Sequence, residues 1–147
     1  MKSYLMIISL SVLILMLPFF CSSASTTNSD SCEKVKSFYT EYYDIMNSPN
    51  SAEKTSRLFT FLDKYCTPEF ANIQKEEITD GAGADFIAME YIDGLNLGTL
   101  QVSKMSDYHL VSFYALQPQP NGNMVNKKVY LQVYLRNGLV SDVKERK

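Results

Sequence analysis

Apolar residues recur every three or four positions between residues 30 and 66, and this spacing predicts two helices. The first begins at Asp30, which can form a capping box with Glu33. Its apolar stripe comprises Val35, Phe38, Tyr39, Tyr42 and Met46. The second covers 52–65. Its apolar side comprises Leu58, Phe59, Leu62 and Tyr65. Because the break around Pro49 is short, the two helices should lie side by side and antiparallel.

A third helix is predicted after the run Thr67-Pro68-Glu69, which combines a capping hydroxyl, a proline at the first helical position and an acid in the first turn. Phe70 and Ile73 form its small apolar face. Residues 79–85 are polar and contain glycine, so they are predicted to form a loop. Residues 86–91 fit either one more helical turn or a short strand.

In the last third of the chain the apolar positions alternate, which predicts strands. The clearest strand covers 125–135. Its two faces are Val129, Leu131, Val133 and Leu135 on one side and Tyr130, Gln132 and Tyr134 on the other. Strands over 108–117 and 139–144 flank it, with Asn137-Gly138 as a hairpin turn. The expected fold is α+β, with N-terminal helices packed on a curved antiparallel sheet in one domain over 31–147.

Composition narrows the classes of function. The 147 residues include 14 basic and 16 acidic side chains, a formal net charge of −2. A duplex nucleic-acid binder needs a clustered basic surface, so this balance argues against nucleic acid as a partner. Three cysteines and one histidine leave little material for a metal centre, and no metal or other cofactor is predicted.

Residues 1–24 have the features of a signal peptide. Lys2 supplies the positive start, an apolar run follows, and small residues allow cleavage after Ala24. The mature protein is therefore expected in the periplasm or outside the cell, with no membrane span after cleavage. Two alternatives are a transmembrane anchor, for which the apolar run is short, and a lipid anchor on Cys21. Residues 25–30 are small and polar and are predicted to be a disordered lead.

Cleavage would leave two cysteines, Cys32 and Cys66. Cys32 lies near the start of the first predicted helix and Cys66 at the end of the second, so antiparallel packing places both at one end of the pair. Because an exported protein meets oxidising conditions, a Cys32–Cys66 disulfide is predicted. The alternative is two unpaired thiols that are buried as small apolar side chains.

Three short motifs resemble a secreted bacterial family of unknown function that is grouped with the nuclear transport factor 2-like (cystatin-like) cone folds. The motifs are Phe38, Tyr39 and Tyr42, then 65–70, then 83–86. The likeness covers residues 32–143, although the family's tryptophan before the last strand is replaced here by 136–139. The resemblance implies a sheet that wraps around the long first helix and leaves a cone whose open end can hold a ligand.

Enzymes of that fold suggest one catalytic reading of the sequence. His109 is the single histidine and would serve as a general base, oriented by Asp85 or Asp93. Tyr39 and Tyr42 on the first helix would serve as hydrogen-bonding groups, as in isomerases of the fold. The alternative is that His109 is a structural or surface histidine and that both tyrosines belong to the core, because a stripe at helical spacing is usually buried.

The favoured prediction is an exported, non-enzymatic binding module for a small ligand, a peptide or a protein, with a homodimer as one form of partner. The alternative is a small isomerase or dehydratase with a pocket between the first helix and the sheet. Since the valines and leucines of 125–135 must be buried, the tyrosines of that strand should lie on the opposite face. The predicted binding residues are Tyr108, Tyr114, Tyr130 and Tyr134.

Overall fold

Three helices precede four strands along the chain. The computed structural model describes residues 26–49, 51–81 and 94–146. The helices are α1 (Thr26–Met46), α2 (Ser51–Tyr65) and α3 (Pro68–Thr79). The strands are β1 (Leu95–Lys104), β2 (His109–Pro118), β3 (Met124–Arg136) and β4 (Leu139–Glu145). No helix within these ranges is long and apolar enough to cross a bilayer.

Several sequence predictions concern residues outside this described part of the chain. They are the signal peptide with Cys21, the loop and the element predicted over 82–91, and the two candidate carboxylates Asp85 and Asp93. These predictions stay predictions.

The strands form one antiparallel sheet in the order β1-β2-β3-β4, so each strand pairs with the next along the chain. Asn137 and Gly138 have φ values of 53° and 75°, the pair of positive angles that the tight turn between β3 and β4 requires. Helices α1 and α3 both contact the sheet. The prediction of an α+β fold, with N-terminal helices against an antiparallel sheet, is confirmed.

The core lies between the helices and the inner face of the sheet, the face that contacts them. Side chains with an exposed fraction of 1% or less include Phe38, Tyr39, Tyr42, Phe61, Phe113 and Leu131. The Phe38 ring joins α1 to α2, because its centroid lies 4.9 Å from that of Phe61 and 5.7 Å from that of Tyr65. Glu41 adds a polar link, since one of its carboxylate oxygens accepts hydrogen bonds from both Lys64 and Tyr65.

In two helices, the buried face differs from the predicted one by a small rotation about the helix axis. In α2, Phe61 enters the core instead of Phe59, because positions 58, 61, 62 and 65 keep the three-and-four spacing more closely. In α3, Ala71 and Gln74 are buried whereas Ile73 is 52% exposed.

Helix α1 begins at Thr26, four residues before the predicted start. The prediction of a disordered lead over 25–30 is therefore wrong for 26–30. Small polar residues predict an unstructured segment, but extending an existing helix costs far less than nucleating one, because each added residue closes one more backbone hydrogen bond.

The predicted Cys32–Cys66 disulfide is also wrong, since both cysteines are free thiols. Tyr65 packs on Phe38 and donates a hydrogen bond to Glu41, so the end of α2 lies level with the middle of α1. Cys32 is six residues before Phe38, about 9 Å farther along the helix axis, whereas disulfide-bonded residues have Cα atoms within about 7 Å. Burial raises the pKa of the Cys66 thiol to about 12, so it stays protonated at neutral pH.

Replacing Gly94 with alanine is expected to destabilise the protein by about 1–3 kcal/mol, because the new methyl group has no room. A Cβ atom at this position would lie 2.2 Å from the carbonyl oxygen of Leu116 in β2, and a backbone atom cannot rotate away. Urea unfolding measures the loss. Gly98→Ala is the matched control, because there the methyl group meets only the Asn96 side chain at 3.3 Å. Equal losses in the two variants would contradict the close approach of Gly94 to β2.

Candidate functional site

The outer face of the sheet, opposite the helices, carries a band of tyrosine and lysine side chains. Strand pairing explains why they meet, since Tyr114 lies directly opposite Lys128 and Ser112 opposite Tyr130. Their neighbours Phe113 and Val129 point to the inner face and are buried. We call the band the outer tyrosine face. It consists of Tyr108, Tyr114, Lys128, Tyr130, Tyr134 and Lys144.

Lys128 lies between two exposed rings at one end of this face. Its ammonium nitrogen is 5.8 Å from the ring centroid of Tyr114 and 5.4 Å from that of Tyr130. These rings are 38% and 37% exposed, the largest exposed fractions among the four predicted binding tyrosines. A cation over a ring face is attracted by the ring quadrupole, so Lys128 interacts with both rings at the surface.

Tyr134 anchors the other end of the face. Its ring centroid lies 5.8 Å from that of Tyr108, and the Lys144 ammonium lies 5.1 Å from the Tyr134 ring. The Tyr134 hydroxyl donates a hydrogen bond to Gln132, and Lys144 pairs with Asp142 at 2.9 Å. Both tyrosines are half-buried. This end is therefore more tightly packed than the Tyr114 end.

The outer face is positively charged although the chain is not. Three basic side chains lie there against one acid, Asp142: Lys128, Lys144 and Arg136. Arg136 belongs to this face because strand alternation places it on the same side as Tyr134. The formal net charge of the whole chain is −2. Apolar side chains continue the surface toward the β2–β3 loop. They are Leu116 at 51% and Met124 at 57% exposure.

His109 lies away from this band, on the inner face. It is 5% exposed, and its Nε2 atom lies 2.9 Å from the hydroxyl of Ser31 in α1. Burial, and then the charge of Lys104, lower the pKa of His109, so the ring is neutral at pH 7. Its other ring nitrogen, Nδ1, is buried with no hydrogen-bond partner.

The tyrosines of the catalytic reading lie deep in the core. Tyr42 is 0% exposed and stacks on Phe61, with ring centroids 5.7 Å apart. Ser31, which contacts His109, precedes Tyr42 by eleven residues, about 16 Å along α1. The structure therefore does not bring His109 and Tyr42 together. Burial, together with nearby Tyr42 and Cys66, raises the pKa of Tyr39, so that its phenol stays neutral.

Within the described ranges, no three His, Cys, Asp or Glu side chains group so that they could hold a metal ion. The residues that sequence reasoning missed are Lys128, Lys144 and Ser31. Lys128 could have been found, because it alternates with Tyr130 and so shares its face. Ser31 carries no such signal, since it is separated from His109 by 78 positions.

Comparison with known proteins adds evidence on the fold. No protein-family model matches the chain, and none of the curated proteins matches it. A crystal structure of a protein of unknown function from Bacteroides thetaiotaomicron VPI-5482 is similar, with a TM-score of 0.59 and 17% identity over 84% of this chain and 95% of that one. A de novo designed β-sheet protein solved by NMR has a TM-score of 0.50 and 12% identity over 80% and 88%. At such identities the likeness shows a shared fold and nothing about function.

Proposed function

We propose that this protein is a non-enzymatic binding module whose outer tyrosine face docks an extended, acidic segment of a protein partner. The observation that carries the proposal is the Lys128 ammonium held between the exposed rings of Tyr114 and Tyr130.

Tyrosine suits such a surface because it combines a large apolar ring with a polar hydroxyl and loses little conformational entropy when it is covered. Here the rings and the lysine already constrain each other, so binding has less side-chain freedom left to remove. The exposed Leu116 and Met124 extend the apolar area beyond the tyrosines. From Lys128 to Tyr134 the band is about 20 Å long, which is the length of a six-residue extended segment.

Charge identifies the chemistry of the partner. Burying Lys128 against an uncharged surface would strip its hydration without compensation, whereas a carboxylate would pair with it. Lys144 already pairs with Asp142. A second copy of this chain fits less well, because face-to-face packing would bring both positive faces together. A polyphosphate partner is also less favourable, because the formal net charge of the whole chain is −2 and would repel it.

The cellular location of the protein is part of the same proposal. The signal-peptide features of residues 1–24 support export to the periplasm or the cell exterior, with binding after cleavage. Mass spectrometry of the intact exported protein should give a chain that starts at Ser25. A chain that retains residues 1–24, or one that carries lipid on Cys21, would contradict cleavage after Ala24.

Titration with a synthetic octapeptide of alternating glutamate and leucine tests the docking surface. Backbone amide NMR shifts should change along β2, β3 and β4 around the outer tyrosine face, and added salt should weaken the binding. A peptide of the same length with lysine in place of glutamate is the control and should not bind. Shifts confined to other surfaces, or none, would overturn the proposal. Tighter binding of an acidic oligosaccharide of equal charge to this face would overturn the assignment of a protein partner.

A further inference from the structure

A cavity lies at the end of the sheet where β1 begins, beside the end of β2 and the start of β3. Its volume is about 540 Å³, which falls within the roughly 300–1,000 Å³ of ligand sites. None of the described residues that line it carries a charge. Apart from two glycines, they are Tyr43, Leu95, Asn96, Leu97, Leu116 and Asn126. We call it the β1 cavity.

The β1 cavity adjoins the outer tyrosine face at Tyr114 and Lys128. On β1, the lining residue Asn96 lies directly opposite Tyr114. On β2 and β3, the lining residues Leu116 and Asn126 lie opposite each other. Each of these two is two positions from Tyr114 or Lys128 on its strand, which is about 7 Å, and therefore shares the same face. The cavity begins where the ring and the ammonium group end.

Side-chain hydrogen bonds fix the wall that β1 contributes to this cavity. The regular pairing of β1 with β2 is interrupted between Asn96 and Gln101. The Asn96 side chain accepts a hydrogen bond from the Gly98 backbone at 3.1 Å. The Thr99 hydroxyl accepts one from the Tyr114 backbone at 2.9 Å. These bonds satisfy backbone groups that the interrupted pairing would leave open, so the wall is formed before a partner binds.

We infer that the β1 cavity receives a large apolar side chain of the docked segment, two residues away from the carboxylate that pairs with Lys128. This inference rests on the proposed docking function. In an extended segment every second side chain points to the same side, at a spacing of about 7 Å. A segment that places a carboxylate at Lys128 therefore presents its next inward side chain at Leu116 and the cavity beside it.

The lining of the cavity identifies the chemistry of that side chain. A charged side chain would lose its hydration and meet no opposite charge among the described lining residues. An apolar side chain would instead cover Leu116, which is 51% exposed in the free protein. The partner segment is therefore acidic at one position and apolar two residues farther along.

Tryptophan in a peptide is the probe, since the protein itself contains none. The parent octapeptide alternates glutamate and serine. Tryptophan replaces either its first or its last glutamate, which covers both directions of the segment along the sheet. One of these two peptides should bind about tenfold more tightly than the same peptide with serine in place of tryptophan. Its fluorescence should move to shorter wavelength as the indole leaves water.

A peptide control and a pair of protein variants locate this effect. Exchanging the tryptophan with the neighbouring serine should remove both the gain in affinity and the fluorescence shift, because the indole then points away from the sheet. Leu116→Ser should remove them as well. Ile73→Ser is the matched control, because Ile73 is 52% exposed on α3 and does not line the cavity. It should behave as wild type, and amide spectra show that both variants are folded.

The outcomes separate this inference from the docking function. Equal affinities with and without tryptophan, or an equal response in wild type and Leu116→Ser, would overturn the inference and leave docking intact. Binding of free N-acetyltryptophanamide as tightly as the tryptophan peptide would also overturn it, since the cavity would then be a small-molecule site. If none of the acidic peptides bound, the docking function would fail and the inference with it.

Discussion

Phe38→Ala should lower the free energy of unfolding by about 3–5 kcal/mol, the typical cost of removing a buried aromatic ring. Phe38 is 0% exposed and contacts rings from both helices. Its centroid lies 5.2 Å from that of Tyr39, 4.9 Å from that of Phe61 and 5.7 Å from that of Tyr65. The substitution therefore opens a cavity between α1 and α2, and it removes the edge-to-face contacts with Tyr39 and Tyr65 as well.

Urea unfolding followed by circular dichroism measures this effect. Phe59→Ala is the matched control, because Phe59 is a half-buried ring on α2 that lies under the Lys75 ammonium at 5.6 Å. It should cost clearly less than Phe38→Ala. If Phe38→Ala does not fold, Phe38→Leu takes its place. It should lose less stability than Phe38→Ala but still more than Phe59→Ala. A larger loss for Phe59→Ala than for Phe38→Ala would contradict the full burial of Phe38 and the partial exposure of Phe59.

The second large effect concerns binding rather than stability. Tyr114→Ala combined with Tyr130→Ala should weaken the acidic octapeptide at least tenfold, because truncated aromatic anchors at an interface typically cost 2 kcal/mol or more. The thermal midpoint should change little, since both rings are more than one-third exposed. Tyr134→Ala should instead lower stability, because Tyr134 is half-buried and its ring packs on Tyr108. A large stability loss in the Tyr114 and Tyr130 variant would show that these rings belong to the core.

Local patterns in the sequence were sufficient to predict much of the fold. The alternation over 125–135 separated the buried valines from Tyr130 and Tyr134, because a strand has only two faces. Asn137-Gly138 marked its turn because these residues adopt positive φ at low cost. The α+β arrangement followed from helical spacing that gives way to alternation.

Contacts between distant segments could not be predicted in this way. The disulfide prediction failed because it depends on the offset between α1 and α2 along their axes. That offset is set by how Tyr65 packs on Phe38, which no local pattern encodes. The Ser31–His109 contact likewise depends on where α1 crosses the sheet. The position of Lys128 between two rings depends on the β2–β3 register, which places Tyr114 opposite it.

The most direct test of the proposed function is the affinity of the two octapeptides for Lys128→Glu and Lys36→Glu. Both variants change the net charge equally, but Lys36 lies on α1, away from the outer tyrosine face. In isothermal titration calorimetry, Lys128→Glu should lose at least tenfold in affinity for the glutamate peptide and gain affinity for the lysine peptide. Lys36→Glu should behave as wild type. Equal losses in both variants would show that the peptide responds to net charge alone, and the outer tyrosine face would not be the docking surface.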